Sequence, residues 1–251
     1  EMERCRGRGG WPVGGGQSRC RWSVARGTAP RSRSTRATAG EDDATGKSAA
    51  AAPSRNPHPD NAAQRIALFF DRLHALGHFF RTLEICRKLD AHEVILVTGG
   101  SPVDVPLPAH VREERLPALM MDEAFTALIA GAAERSVADI QRQRKQKLWA
   151  LFRNERPDLF IVELYPFGRK KFRFELDPIL SGLKDGGLPP CRVVCSLRDI
   201  LVEKRDPVAY EEKVLQKLNR YFDALLVHSD PGLQSLSETF ARVGDINIPV
   251  V

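Results

Sequence analysis

The chain has 251 residues, 42% of them hydrophobic, and a formal net charge of +6. That length suits one large α/β domain or two smaller ones and is ample for a core. The charge is unevenly spread: residues 1–63 hold eleven Lys and Arg against six Asp and Glu, whereas the remaining 27 basic and 26 acidic residues nearly cancel. The folded part therefore lacks the basic excess of a nucleic-acid surface, and no nucleic-acid partner is expected.

Residues 1–63 are rich in Gly, Arg, Ser, Ala and Pro and show no hydrophobic periodicity. Such a segment cannot bury enough apolar surface to offset its ordering entropy, so it is expected to be a disordered tail. Its Arg and Ser content leaves an organellar targeting segment open, although no amphipathic helix is visible, and a nucleic-acid-binding arm is a third reading. Otherwise the expected compartment is the cytoplasm. There is no apolar run long enough to span a membrane and no secretory signal core. Five cysteines without a close pair fit neither a disulfide framework nor a structural zinc site. Cys86, Cys191 and Cys195 are expected as small core residues.

The body opens with residues 66–70, a wholly apolar run typical of a strand buried on both faces. Residues 71–76 turn the chain. Gly77 and His78 then lead into residues 79–89, where Phe79, Leu83, Cys86 and Leu89 recur at helical steps. A helix start there would present unpaired N–H groups, a seat for phosphate or carboxylate. Residues 92–98 read as a second strand, 104–110 as an extended loop and 111–116 as a short strand. A helical pattern runs from about 121 to 156 and is stopped by Pro157. Within it, the basic run 141–147 reads as a solvated helix face, the alternative being a patch for a phosphate-bearing partner.

Residues 159–162 form the next expected strand, leading into the polar segment 163–171. A helix over 172–183, a strand over 192–196, a helix over 208–222 and a strand over 224–227 follow. A further helix, capped by Ser229 or Asp230, is expected to reach about Val243, with an extended segment at 246–251. Strand and helix thus alternate throughout residues 64–251. The expected fold is a single α/β, Rossmann-like domain: an open, mostly parallel sheet with helices on both faces. Ligands in such sheets gather at the carboxyl ends of the strands. That rule collects Asp71 and His78, residues 98–101, 163–171 and 196–199, and His228 to Asp230. No phosphate-loop, nucleophile-elbow, zinc-protease or intact dinucleotide-binding motif is present.

Ala75-Leu76-Gly77-His78-Phe79-Phe80-Arg81, after a buried strand, resembles the G-x-G-H-x-x-R turn of glycosyltransferases with the two-domain B-type fold. It is similar in particular to predicted transferases related to the family that adds N-acetylglucosamine to a lipid-linked peptidoglycan precursor. Glu163-Leu164-Tyr165-Pro166-Phe167-Gly168-Arg169, Ser196-Leu197-Arg198-Asp199-Ile200-Leu201 and Val227-His228-Ser229-Asp230-Pro231 resemble the corresponding strand-end segments, in the same order. The similarity covers residues 65–251 and corresponds to the N-terminal, acceptor-side half of that family. Ala75 stands where the family commonly has its first glycine.

The resemblance implies transfer of a sugar from a nucleotide-sugar donor to an acceptor hydroxyl, without a metal or a cofactor. It assigns His78 and Glu163 to catalysis, and Gly77, Arg81, Tyr165, Arg169, Arg198, Asp199 and Ser229 to the acceptor. Several of these assignments have a plainer alternative. His78 could cap its own helix, and Glu163 could pair with Arg169 or Arg198. Arg198 and Asp199 could anchor loops; Tyr165 and Phe167 could pack their loop down rather than stack on a sugar. Arg169, Lys170 and Lys171 could meet membrane headgroups beside a lipid-linked acceptor or be a solvated loop. His92 and His228 read as structural.

The donor would be held by a C-terminal domain or partner subunit outside these residues, so the half alone is expected to be inactive. A non-catalytic subunit of a split transferase is the alternative. A nicotinamide-dependent enzyme ranks below both for want of the glycine motif.

Overall fold

The computed structural model describes residues 63–71, 76–100, 104–122, 126–131, 136–198, 201, 206–229 and 235–251. The expected tail thus lies outside the described residues, apart from Ala63. Six strands form one parallel sheet: β1 (Arg65–Asp71), β2 (Glu93–Gly99), β3 (Val111–Arg115), β6 (Leu159–Glu163), β7 (Arg192–Arg198) and β8 (Ala224–His228). Their spatial order is β3-β2-β1-β6-β7-β8. The chain moves outward from β1 to β3, crosses back to place β6 beside β1, and moves outward again. The order therefore reverses between β1 and β6, which leaves a crevice at their carboxyl ends.

The apolar runs form strands because both faces of the sheet are covered. On one face Ile66, Leu68, Phe70, Val94, Leu96 and Ile161 pack with Phe79, Leu83 and Cys86 of α1 (Leu76–Lys88). On the other, Ala67, Phe69, Phe160, Val162, Cys195 and Leu225 meet α2 (Val137–Glu155), α3 (Arg173–Lys184) and α4 (Pro207–Tyr221). The expected α/β class, parallel sheet and two-sided helices are all present. Cys86, Cys191 and Cys195 are buried and form no disulfide, and burial pushes the Cys86 thiol up to about 11. No helix among the described residues is long and apolar enough to cross a membrane.

Three local expectations are corrected. The helix begins at Val137 rather than near residue 121, and a small antiparallel hairpin precedes it, β4 (Leu119–Met121) with β5 (Leu128–Ala130). Asp122 explains the change: its carboxylate accepts from the backbone N–H groups of Thr126 (2.7 Å) and Ala127 (3.0 Å), a turn-closing pattern that competes with helix. Ser136 then caps α2, accepting from the Asp139 N–H at 3.1 Å.

The helix expected to reach Val243 is replaced, from residue 235 on, by two single 3-10 turns, Leu236–Glu238 and Val243–Asp245. Glu211 of α4 takes the N–H groups of Ala241 (3.0 Å) and Arg242 (3.2 Å), donors that a continuous helix would have used internally. Residues 249–251 run parallel to β8, with Leu225 N–H donating to the Pro249 carbonyl at 2.9 Å and Val227 N–H to that of Val251 at 2.8 Å.

The basic run 141–147 is not uniformly solvated. Arg144 is wholly buried and binds both carboxylate oxygens of Glu175, Nε to Oε2 at 2.8 Å and Nη2 to Oε1 at 2.6 Å. Its Nη1 donates to the Pro117 carbonyl at 2.9 Å, so one guanidinium joins α2, α3 and the segment entering β4.

Candidate functional site

β1 and β6 lie side by side in register, Phe69 beside Val162, so the next residues, Phe70 and Glu163, end the two strands at the crevice. Glu163 pairs with Ser196 of β7, and Arg198 of β7 with His228 of β8. Laterally paired residues of a parallel sheet share a face. Phe70, Glu163, Ser196, Arg198 and His228 thus all belong to the face that α1 covers, at the carboxyl edge.

Glu163 is 4% exposed and its two oxygens are held separately. Oε2 accepts from Nη2 of Arg169 at 2.9 Å, and Oε1 faces Nη2 of Arg81 at 3.5 Å. Arg169 adopts a left-handed backbone (φ 54°), and its guanidinium lies over the Phe70 ring, 5.8 Å from the centroid. Beside this trio, Oγ of Ser196 lies 2.8 Å from Nε2 of His228. Burial first, and the charge of Arg81 second, hold the His228 imidazole below its ordinary value, while Glu163 pulls it upward. The ring is accordingly neutral near pH 7.

The expected site residues divide. Arg81, Glu163 and Arg169 are joined directly; the pairing read as an alternative for Glu163 exists, with Arg169 and Arg81 as its partners. Gly77 and His78 lie in the first turn of α1, one turn before Arg81; of these two, the backbone is described. Arg198 sits half-buried at the end of β7, and Ser229 directly follows β8. Asp199 lies outside the described residues.

Tyr165 goes elsewhere. Leu164 has a left-handed backbone (φ 64°), the Gly168 N–H returns to its carbonyl at 2.6 Å, and the loop folds onto the opposite face. Tyr165 is 1% exposed there, donating its hydroxyl to Asp177 of α3, and burial pushes its phenol far up. Phe167 packs edge-on against Phe240 at 5.2 Å, and Tyr210 donates to its carbonyl at 2.8 Å. The packed-down alternative describes this loop. Lys170 lies over the Tyr210 ring, and Lys171 donates to the Thr126 carbonyl beside the hairpin.

Sequence reading classed His228 as structural, yet it belongs to the crevice cluster. The strand-end rule had gathered it, but nothing local tells a strand-end histidine facing the crevice from one facing the core. His92 does accept a structural bond, from the Gln64 N–H at 3.1 Å. Among the described residues no group of three or more His, Cys, Asp or Glu could hold a metal ion.

Neither a family model nor a curated protein matches the chain. Among solved structures it is similar to CalG4, the calicheamicin glycosyltransferase, at 15% identity over 70% of this chain and 51% of that one, TM-score 0.37. It is also similar to the glycotransferase of kitacinnamycin, at 15% identity over 72% and 50%, TM-score 0.36. The chain spans about half the length of either. Likeness at this level assigns no activity.

Proposed function

We propose that residues 64–251 are the acceptor-binding half of a glycosyltransferase that moves a sugar from a nucleotide-sugar to an acceptor hydroxyl. The observation that carries this reading is the Arg81–Glu163–Arg169 trio at the crevice where the strand order reverses. All four segments that resemble such transferases contribute to the cluster: Arg81 from the first, Glu163 and Arg169 from the second, Ser196 from the third and His228 from the fourth.

In this reading Glu163 is an orienting group. With both oxygens facing guanidinium groups it holds Arg81 and Arg169 in place, and these cations suit polar and anionic parts of an acceptor. Gly77 and His78 flank the same place from the helix start, where backbone N–H groups favour developing negative charge. Exposed Lys170 and Lys171 suit a lipid-linked acceptor presented at an anionic surface. The nucleotide-sugar would be held mainly by a second domain or subunit, and the transfer would need no metal.

The test is backbone NMR of the 251-residue chain against methyl glycosides of hexoses and N-acetylhexosamines, uridine-diphosphate sugars, NAD and NADP. Glycosides are expected to shift the amides of Arg81, Glu163, Ser196 and His228. If NAD or NADP shifts them and no glycoside does, the reading fails in favour of a nicotinamide enzyme.

A further inference from the structure

His228, read from the sequence as structural, has the geometry of a proton acceptor at the crevice. We propose that His228 receives the hydrogen bond of the acceptor hydroxyl and takes its proton during transfer, with Ser196 fixing the ring. This rests on the glycosyltransferase reading and deepens it.

Three observations converge. First, Ser196 is 1% exposed on β7 and lies 2.8 Å from Nε2, so one ring nitrogen is anchored by a side chain that cannot wander. Second, among the described residues Nδ1 has no hydrogen-bond partner. If Nε2–H donates to Ser196 Oγ, Nδ1 keeps its lone pair, and that bond survives protonation because Nε2 remains a donor in the imidazolium. Third, the ring stands beside the Arg81–Glu163 pair, at the end of β8. The groups that face it are Arg81 from α1, Glu163 from β6, and Ser196 with Arg198 beside it from β7. Arg81 and burial favour the neutral ring, and Glu163 favours the protonated one, a balance suited to a base that must both take and release a proton.

The acceptor O–H bond breaks and its proton passes to Nδ1. The acceptor oxygen forms its bond to the anomeric carbon of the nucleotide-sugar, and the bond from that carbon to the diphosphate oxygen breaks. The nucleoside diphosphate leaves with the electron pair, and the imidazolium returns its proton to water.

The experiment uses the full 251-residue chain with the methyl glycoside that binds best in the panel above. Its affinity is measured from pH 5 to 8, while the His228 ring is followed by NMR of its Cε1–H. The expected result is an affinity that falls by up to about tenfold in all as pH drops through the His228 midpoint, because a protonated Nδ1 no longer accepts the hydroxyl's hydrogen bond. His228→Gln should flatten that profile, and the glycoside should lower the ring midpoint in the wild-type chain. A profile unchanged in His228→Gln, or a ring whose midpoint ignores the bound glycoside, overturns the proposal while leaving the transferase reading standing. Failure of every glycoside to bind at any pH overturns that reading, and this proposal with it. Should His228→Gln not fold, the wild-type ring titration decides alone.

Discussion

Arg144 and Glu175 form an ion pair with no solvent exposure on either side, two guanidinium nitrogens meeting two carboxylate oxygens. A buried pair is weak evidence of net stability, because desolvating both ions offsets their attraction. Removing one partner is a different matter, since the other charge is then stranded. Arg144→Ala or Glu175→Ala should each lose about 3–5 kcal/mol. Arg144→Ala combined with Glu175→Ala should lose much less than the sum, because neither charge is then stranded. Chemical denaturation of the three variants, combined as a double-mutant cycle, checks this.

Glu163 should set the protonation of His228 from outside hydrogen-bond range. Its charge raises the imidazole and that of Arg81 lowers it. Glu163→Gln should therefore move the ring midpoint further down, and Arg81→Gln should move it up. NMR titration of the ring in both variants reads the two directions. Shifts of the same sign would mean that repacking dominates over charge.

The same ring should leave a mark on stability. Its folded-state value lies below the ordinary 6.5, so the unfolded chain takes up this proton more readily. The contribution is complete above the ordinary value and is lost as pH falls from there toward the folded midpoint. Denaturant midpoints of the wild type should fall more steeply through that window than those of His228→Gln. Equal slopes would show that folding leaves the ring unperturbed.

Tyr165→Phe separates packing from ligand contact. The hydroxyl bonded to Asp177 is lost, while Lys217 still holds both Asp177 oxygens at 2.7 and 2.8 Å. A cost of about 1 kcal/mol is expected. Glycoside affinity should not change, because the ring is buried on the far side of the sheet. A loss of affinity without a loss of stability would return Tyr165 to the site.

The sheet was legible in the sequence because its central strands β1, β2, β6 and β7 are short, mainly apolar runs spaced by helical periods and buried on both faces. The crevice was legible because the strand-end rule needs only that order. What escaped depends on single side chains satisfying distant or local backbone. Asp122 turns an apparently helical stretch into a hairpin, and Glu211 takes the donors that a last helix would have needed. Arg144 looked like one more solvated cation because its partner lies 31 residues away. His228 and Tyr165 exchanged roles for a similar reason: facing is decided by register and by one backbone torsion, and neither is visible in residue type.

That torsion belongs to Leu164. Plain alternation would have aimed positions 163 and 165 the same way; the left-handed twist between them sends the acid to the rim and the phenol inward. One peptide thus serves as a switchyard, dispatching neighbours to opposite compartments. Gly168 completes it, since an added methyl would sit 2.7 Å from the Leu164 side chain. Bulk at 168 would consequently be felt at the rim, passed through Leu164 to the adjoining Glu163.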